Sequence, residues 1–206
     1  MPESCDWGAA EASTARYNRR SKMQPPRYAL VAYVRKPVGE FVEKLRRELH
    51  PDLPQMAAHV TILPPRPLGD SEASAIRKLE EVCSRAEAFE VTLGEVETFI
   101  PVTPTVFIRV AHGAARMQEL HDLLNQGPLT CPEQWPYTPH LTIAKMTTEE
   151  QAWQAFELAR RRWSEYKSTR RIPLEELTFV REGEQNCWVD LAPVRLGQSL
   201  VTRSKE

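Results

Sequence analysis

The chain has 206 residues, 41% of them hydrophobic, and its formal net charge at pH 7 is −1. This length allows one large domain or two small coupled lobes, and the balanced charge excludes a general attraction to nucleic acid. The apolar runs are too short to span a membrane, and the first residues lack the basic and apolar regions of a signal peptide. We therefore expect a cytoplasmic protein without a membrane partner.

The first half of the chain opens with residues 1–26, which are polar, lack periodicity and predict a disordered extension. The folded part is expected to start at residue 27. Apolar patterning then predicts strand, helix, His-containing strand, helix and strand over 28–34, 38–49, 59–63, 76–86 and 89–100. Prolines 64, 65 and 67 are expected to end the His-containing strand, and Asp70 or Ser71 is expected to cap the helix that follows.

The second half repeats this order. The pattern predicts a strand, a helix, a second His-containing strand, a helix and two closing strands, over 105–110, 117–124, 140–145, 150–163, 174–180 and 187–191. Thr147 and Glu150 have the spacing of a capping box, and Trp153, Phe156 and Trp163 are predicted on the inner side of the helix. The matching order indicates a duplication, with lobes 27–100 and 104–192 in one domain, 27–196, followed by a tail, 197–206.

One tetrapeptide pattern occurs in both halves, as His59-Val60-Thr61-Ile62 and as His140-Leu141-Thr142-Ile143. In an extended strand alternate side chains share a face, so each motif presents an imidazole beside a hydroxyl. A pseudo-twofold axis between the halves would bring both motifs to one cleft. Two imidazoles and two hydroxyls in one cleft are suited to acid–base chemistry at a phosphodiester.

A simpler interpretation of each motif is a strand with a half-buried histidine that is hydrogen-bonded to a neighbour, and with threonine present for its strand preference. Zinc binding is a further alternative, but neither motif has an Asp, Glu or Cys at a familiar ligand spacing, so we predict no metal and no cofactor. The remaining histidines, His50, His112 and His121, are explained by helix placement or surface packing.

The two motifs, within the longer strings 58–65 and 137–145, resemble those of the 2H phosphoesterase superfamily. The chain is most similar to its 2′-5′ RNA ligase-like branch, which includes RNA 2′,3′-cyclic phosphodiesterases. The resemblance implies an α+β, bilobal, pseudo-twofold fold in which two antiparallel β-sheets form a central groove with helices outside. It also implies metal-independent chemistry, with His59 and His140 as the catalytic pair and Thr61 and Thr142 binding phosphate oxygens.

Further side chains could stack on a base or bind phosphate if they line the groove. The candidates are Tyr33, Phe107, Arg109, Tyr137, Lys145, Arg181 and Trp188. Ordinary strand packing or a solvated charge is the alternative for each. The basic stretch from Arg160 to Arg171 could guide RNA, but the interleaved Glu157 and Glu165 favour a solvated helix end.

The sequence thus predicts a metal-independent phosphodiesterase that opens 2′,3′-cyclic phosphates of RNA ends or nucleotides, with reversible 2′-5′ RNA ligase activity. One alternative is a noncatalytic nucleotide- or RNA-binding module. Another is a 2H enzyme for a different cyclic or RNA phosphodiester, such as ADP-ribose 1″,2″-cyclic phosphate. The sequence leaves open which histidine is the acid. We expect a monomer without an obligate protein partner, because the duplication itself supplies a two-sided cleft.

Overall fold

The computed structural model describes residues 25–49, 56–183 and 187–197, so most of the predicted N-terminal extension, His50 and the tail beyond residue 197 lie outside it. The strands are β1 (Tyr28–Tyr33), β2 (His59–Arg66), β3 (Phe89–Thr98), β4 (Thr105–His112), β5 (His140–Lys145), β6 (Arg171–Leu174), β7 (Glu176–Glu182) and β8 (Trp188–Arg195). The helices are α1 (Val38–Leu49), α2 (Glu72–Arg85), α3 (Ala114–Leu124) and α4 (Glu149–Glu165), with a short 3-10 helix at Gly127–Leu129.

The strands form one antiparallel sheet in the order β6-β3-β4-β5-β2-β1-β7-β8. The α+β class is confirmed, but the predicted pair of separate sheets is replaced by two four-stranded halves that are joined in the middle. The join is the pairing of β2 with β5, in which Val60 lies opposite Leu141. Because both His-containing strands are inner strands, the two halves meet along the two motifs.

The two sequence repeats exchange strands between the halves of the sheet. From the centre outwards, one half has β2, β1, β7 and β8, and the other has β5, β4, β3 and β6. Strand β3 belongs to the first repeat but pairs with β4 of the second, and β7 of the second repeat pairs with β1 of the first. Each half of the sheet is therefore built from both repeats.

One face of the sheet packs against the four helices of the described residues and forms the main core, which includes Val60, Ile62, Leu141 and Ile143. We call this the helix face. Alternation along the strands directs His59, Thr61, His140 and Thr142 to the opposite face, which we call the groove face. Burial of Val60 and its apolar neighbours thus fixes which way both motifs point.

The sheet is curled towards its groove face. The hydroxyl of Tyr33 on β1 donates a 2.5 Å hydrogen bond to Asp190 on β8, two strands away. A second, smaller apolar cluster lies on this face and consists of Ala29, Val31 and Val180. The fold therefore has a large core beneath the helices and a small apolar floor within the groove.

Local signals set several element ends. The Ser71 side chain caps α2 by accepting a hydrogen bond from the Ser74 main-chain N–H. Helix α4 is capped by Thr148, whose hydroxyl accepts from the main-chain N–H of Gln151, so the predicted cap at Thr147 is wrong by one residue. None of the helices in the described part of the chain combines the length and the apolar composition of a membrane span.

Two predictions about side chains and prolines were wrong. Trp153 was expected inside α4 but is 48% exposed, whereas Trp163 is buried and donates a 2.7 Å hydrogen bond to the Gly94 carbonyl. Strand β2 continues through Pro64 and Pro65 to Arg66. On one side of β2, the register of its pairing with β1 shifts at the two prolines. On the other side, the pairing with β5 is confined to the region of Val60. The main-chain N–H groups that the prolines lack therefore interrupt no hydrogen bond between strands.

Candidate functional site

The pairing of β2 with β5 brings the two motifs together on the groove face. Because the strands are antiparallel and Val60 lies opposite Leu141, His59 lies opposite Thr142 and Thr61 lies opposite His140. The two histidines are then diagonal neighbours, a relation in which Cα atoms are about 7–8 Å apart. The positive charge of His140 contributes to lowering the pKa of His59, so the rings are within electrostatic range.

Both imidazoles are held by the same local hydrogen bond. Nδ1 of His59 lies 2.7 Å from the Ala57 carbonyl oxygen, and Nδ1 of His140 lies 2.6 Å from the Thr138 carbonyl oxygen. A carbonyl oxygen only accepts, so Nδ1 carries the hydrogen in both rings. Nε2 of each ring is therefore the nitrogen left to accept or donate a proton in the groove.

The surroundings disfavour the imidazolium form of both rings. Burial is the main cause that lowers the pKa of His59 to about 4. The hydrogen bond to Ala57 opposes this by raising the pKa, and the positive charges of Arg46, Lys145 and His140 lower it further. Burial also lowers the pKa of His140, with a contribution from Lys145 and an opposing one from the bond to Thr138. An anion bound between the rings would reverse these effects, because it stabilises the protonated forms.

Lys145 supplies positive charge next to both histidines. Although it is exposed at the surface, the surrounding protein lowers the pKa of its ammonium, and the charges of Arg27 and Arg46 lower it further. Arg27 is paired with Glu182, and Arg46 with Glu43 at 3.1 Å. Lys145 has no ion pair with any residue in the described ranges, which leaves its charge available to an anion.

An aromatic cluster lies beside His140. Phe107 is opposite Thr142 and Arg109 is opposite His140 in the β4–β5 register. The rings of Phe99 and Phe107 stack at 4.1 Å between centroids, and the centroid of each is 5.1 Å from that of His140. Arg109 is exposed and forms a 2.6 Å ion pair with Glu97. Phe107 thus supports the His140 ring, and Arg109 lies at the rim.

A second group of aromatic residues lies on the His59 side. Tyr33 is opposite His59 in the β1–β2 register, and burial together with the hydrogen bond to Asp190 raises the pKa of its hydroxyl, which stays protonated. Trp188 and Tyr33 pack against the apolar floor around Val31. Both side chains flank the groove.

Two sequence candidates do not reach the groove. Arg181 is opposite Tyr28, on the helix face, and its guanidinium binds Glu72 of α2 at 2.9 Å. Tyr137 stacks on His121 on the helix face, and its hydroxyl donates a 2.6 Å hydrogen bond to the main-chain carbonyl of Thr61. The alternation of β7 is regular, with Leu177 and Phe179 in the core on the helix face and Val180 on the groove face, so Arg181 falls on the same face as Phe179.

Two residues near the site were not predicted. The carboxylate of Glu43 accepts a short hydrogen bond from the Ala58 main-chain N–H, and Arg46 donates one of 2.9 Å to the Met56 carbonyl. Together they fix the segment that leads into His59. Both lie on the polar side of α1, where charged residues are ordinary, so the sequence carried no signal for this role.

Comparison with known proteins identifies the family. The model of the 2′-5′ RNA ligase superfamily matches residues 34–186, a span that contains both motifs. The chain belongs to the 2′-5′ RNA ligase superfamily. A relative from Halalkalibacterium halodurans, named "Putative phosphoesterase", is 27% identical over 119 residues, which cover 57% of this chain and 69% of the relative. One with the same name from Bacillus anthracis is 22% identical over 170 residues, 82% of this chain and 96% of the relative.

Solved structures share the fold of this 2′-5′ RNA ligase superfamily member. LigT of Escherichia coli, solved with NADP+, has a TM-score of 0.58 at 17% identity, covering 85% of this chain and 99% of LigT. TT0787 of Thermus thermophilus has a TM-score of 0.58 at 15% identity, covering 84% and 99% of the two chains. Within residues 25–49, 56–183 and 187–197, no three His, Cys, Asp or Glu side chains converge as a metal site.

Proposed function

We propose that the groove is the active site of a metal-independent phosphodiesterase that opens 2′,3′-cyclic phosphates of RNA ends or nucleotides. The observation that supports this best is the register of β2 and β5, which sets an imidazole of each motif diagonally across from the other on one face. Each ring has its Nδ1 bound to a carbonyl, and its Nε2 has no hydrogen-bond partner among the residues that the structure describes. Two such rings on either side of one phosphorus atom can take up and release a proton in the same step.

His59 is the general base and His140 is the general acid in this proposal. More cationic groups face His59, since Arg46, Lys145 and His140 all disfavour its protonated form, so it is the ring that stays neutral. Its Nε2 accepts a proton from water as the water oxygen bonds to phosphorus. The bond from phosphorus to O3′ breaks, and Nε2–H of His140 protonates the leaving O3′. The product carries a 2′-phosphate, and the two rings then exchange protons with solvent.

The remaining groove residues stabilise the charge that develops on phosphate. The hydroxyls of Thr61 and Thr142 lie next to the opposing histidines and can donate hydrogen bonds to the two nonbridging oxygens. Lys145 adds a positive charge that has no carboxylate partner among the described residues. These contacts contribute most when they strengthen in the pentacoordinate state, which carries more negative charge than the cyclic ester.

Ligation uses the same groups with a different nucleophile. A ribose 5′-hydroxyl in place of water would attack the cyclic phosphate, with O3′ again the leaving group, and yield a 2′-5′ linkage. E. coli LigT, which shares this fold, has been solved in complex with ATP, with 3′-AMP and with phosphate, and these complexes support a nucleotide phosphate as the ligand. A single chain supplies both histidines, so the proposal needs no partner subunit, and size-exclusion chromatography with light scattering is expected to give a monomer.

The test is turnover by the purified full-length chain in EDTA. The substrates are 2′,3′-cyclic mononucleotides, RNA oligonucleotides ending in a 2′,3′-cyclic phosphate, and ADP-ribose 1″,2″-cyclic phosphate. We expect wild-type turnover to fall by at least about 100-fold in His59→Ala and in His140→Ala, the range of a lost general acid or base. His112→Ala is the matched control, because His112 is an exposed residue at the end of β4.

Each other outcome is informative. Nucleotide binding without turnover on the whole panel would favour a noncatalytic binding module. Turnover of the ADP-ribose ester alone would assign a different 2H activity to the same groove. Activity that survives both alanine substitutions would exclude the two histidines as acid and base.

A further inference from the structure

A basic cleft opens next to the groove, on the His59 side. It has a volume of about 740 Å³ and is lined by the β1–α1 turn, the polar side of α1, and Ala57 and Ala58, which directly precede His59. Its cations are Arg35, Lys36, Lys44 and Arg47. We use the name basic cleft for this surface.

Close packing holds the elements that line the basic cleft against the segment that leads into His59. A Cβ at Gly39 would lie 2.0 Å from the Val34 carbonyl oxygen, so only glycine lets the first turn of α1 approach the end of β1 this closely. The Val34 main-chain N–H in turn donates a 2.8 Å hydrogen bond to the Ala58 carbonyl. The start of α1, the end of β1 and the residue before His59 are therefore held against one another.

The charges of the basic cleft are only partly compensated. Lys36 pairs with Glu40, and the carboxylate of Glu43 is used by Arg46 and the Ala58 main-chain N–H. The other three cations are exposed and make no ion pair or side-chain hydrogen bond with any residue that the structure describes. They are Arg35, Lys44 and Arg47.

We infer that the basic cleft binds the sugar–phosphate backbone of a single-stranded RNA whose cyclic phosphate end occupies the groove. The inference rests on the function proposed above and selects RNA over free cyclic nucleotides as the preferred substrate. A 2′,3′-cyclic phosphate is the 3′ end of its strand, so the rest of the RNA extends to one side only. Unpaired cations provide contacts to phosphates in that direction without reading sequence.

The chain's overall charge makes this local surface necessary. With a net charge of −1, the protein has no general attraction to a polyanion. A mononucleotide is bound by the groove alone, whereas a longer substrate gains contacts in the basic cleft. The two substrate classes should therefore respond differently to a change on α1.

The experiment compares two substrates in the variant Lys44→Glu/Arg47→Glu of the full-length chain. With a 2′,3′-cyclic mononucleotide we expect kcat/KM within about twofold of wild type, since the groove is unchanged. With an eight-nucleotide RNA ending in a cyclic phosphate we expect kcat/KM at least about tenfold lower. We also expect the log–log salt slope of RNA binding to be shallower by about 1.4, for two phosphate contacts at about 0.7 each on a single strand.

Arg160→Glu/Arg161→Glu on the exposed side of α4 is the matched charge reversal. Equal loss on both substrates, no loss on either, or the same RNA-specific loss in the α4 variant would each overturn the inference. Binding of fluorescein-labelled RNA, measured by anisotropy, distinguishes a failure of the basic-cleft inference from a failure of the proposed catalytic function. If the wild type turns over no substrate, RNA binding that is lost only in the α1 variant still supports the basic cleft, and wild-type failure to bind RNA overturns it.

Discussion

The hydroxyl of Tyr137 donates a 2.6 Å hydrogen bond to the main-chain carbonyl of Thr61. Tyr137 lies three residues before His140, so this bond connects the segment leading into one motif to the backbone of the other. The tyrosine ring is stacked on His121, with centroids 4.2 Å apart and planes within 6°. Burial raises the pKa of the phenol, which remains a donor. Tyr137 is thus a positioning residue for both motifs.

Replacing Tyr137 by Phe should loosen this positioning while keeping the ring stack. We expect the free energy of unfolding to fall by about 1–3 kcal/mol, because the Thr61 carbonyl loses its partner. We expect kcat to fall with KM little changed. Tyr166→Phe is the control, since its hydroxyl donates to the Thr169 carbonyl at 3.1 Å, away from the groove. A kcat equal to that of the control variant would show that Tyr137 has only a structural role.

A buried ion pair stabilises the same region. Arg66 is 2% exposed and binds Glu133, which also contacts Nε2 of His121 at 3.0 Å. Glu133→Ala leaves a buried guanidinium without its carboxylate, and we expect a loss of about 3 kcal/mol in chemical denaturation. Glu157→Ala, which breaks the exposed pair with Arg160, should cost less than about 1 kcal/mol. Similar losses in the two variants would contradict this account.

The pH dependence of kcat/KM should follow the lowered pKa values of the histidines. The base must be neutral and the acid protonated, so the profile is bell-shaped and reports the free enzyme. Its acidic limb is expected at about 4, from His59. Because the pKa of His140 is also lowered, its proton is lost at a pH below the ordinary value, and the alkaline limb should lie below about 6.5. An alkaline limb above 7 would contradict these assignments.

Lys145→Gln should move both limbs of that profile to higher pH. The substitution removes a positive charge that disfavours protonation of His59 and of His140, so both pKa values rise. We also expect a weaker interaction with the phosphate, seen as a higher KM. Lys78→Gln on α2 is the control, because its ammonium is 3.5 Å from Glu81 and is not among the charges that affect either histidine. If both limbs of the pH profile stay unchanged in Lys145→Gln, the charge of Lys145 does not influence the pKa values of the two histidines.

The roles of the two histidines can be separated with a changed leaving group. In a cyclic phosphate with sulfur at the 3′ bridging position, the departing thiolate needs no proton. His140→Ala should therefore recover activity on this ester relative to the oxygen ester, whereas His59→Ala should not, because water still has to be deprotonated. Single-turnover rates on the two esters give the comparison. Recovery in His59→Ala instead would reverse the assignment.

Much of the fold could be predicted because its signals are local. Apolar spacing located the helices and most strands, and the alternation in His59-Val60-Thr61-Ile62 correctly placed the imidazole and hydroxyl on one face. Arg181 was named as a groove candidate, although the regular alternation of β7 places it on the helix face with Phe179. The expected end of β2 was also wrong, because β2 continues past Pro64, where its neighbour β5 no longer pairs with it.

The rest depends on contacts between distant parts of the chain. Arg66 was unremarkable in sequence, yet folding buries it against Glu133, 67 residues away. The same holds for Glu43, whose contact with Ala58 requires the position of α1, and for Arg46 near His59. The single continuous sheet likewise follows from one pairing, Val60 with Leu141, which no local pattern could specify.

The exchange of strands between repeats has a consequence for how such a chain can be divided. A fragment ending after β3 would contain β1 and β2 but not β7, which covers the outer edge of β1, and its own β3 would lack its partner β4. Cutting the polypeptide between the repeats therefore should not release two independent folding units. Two copies of a single repeat could complete each other's sheets only by associating, with the histidines facing each other across a symmetric dimer interface. With both repeats in one polypeptide, a covalent connection takes the place of that association. The surroundings of the two motifs can then differ, and Arg46 is an example, because its charge lowers the pKa of His59 and is not among the causes that act on His140.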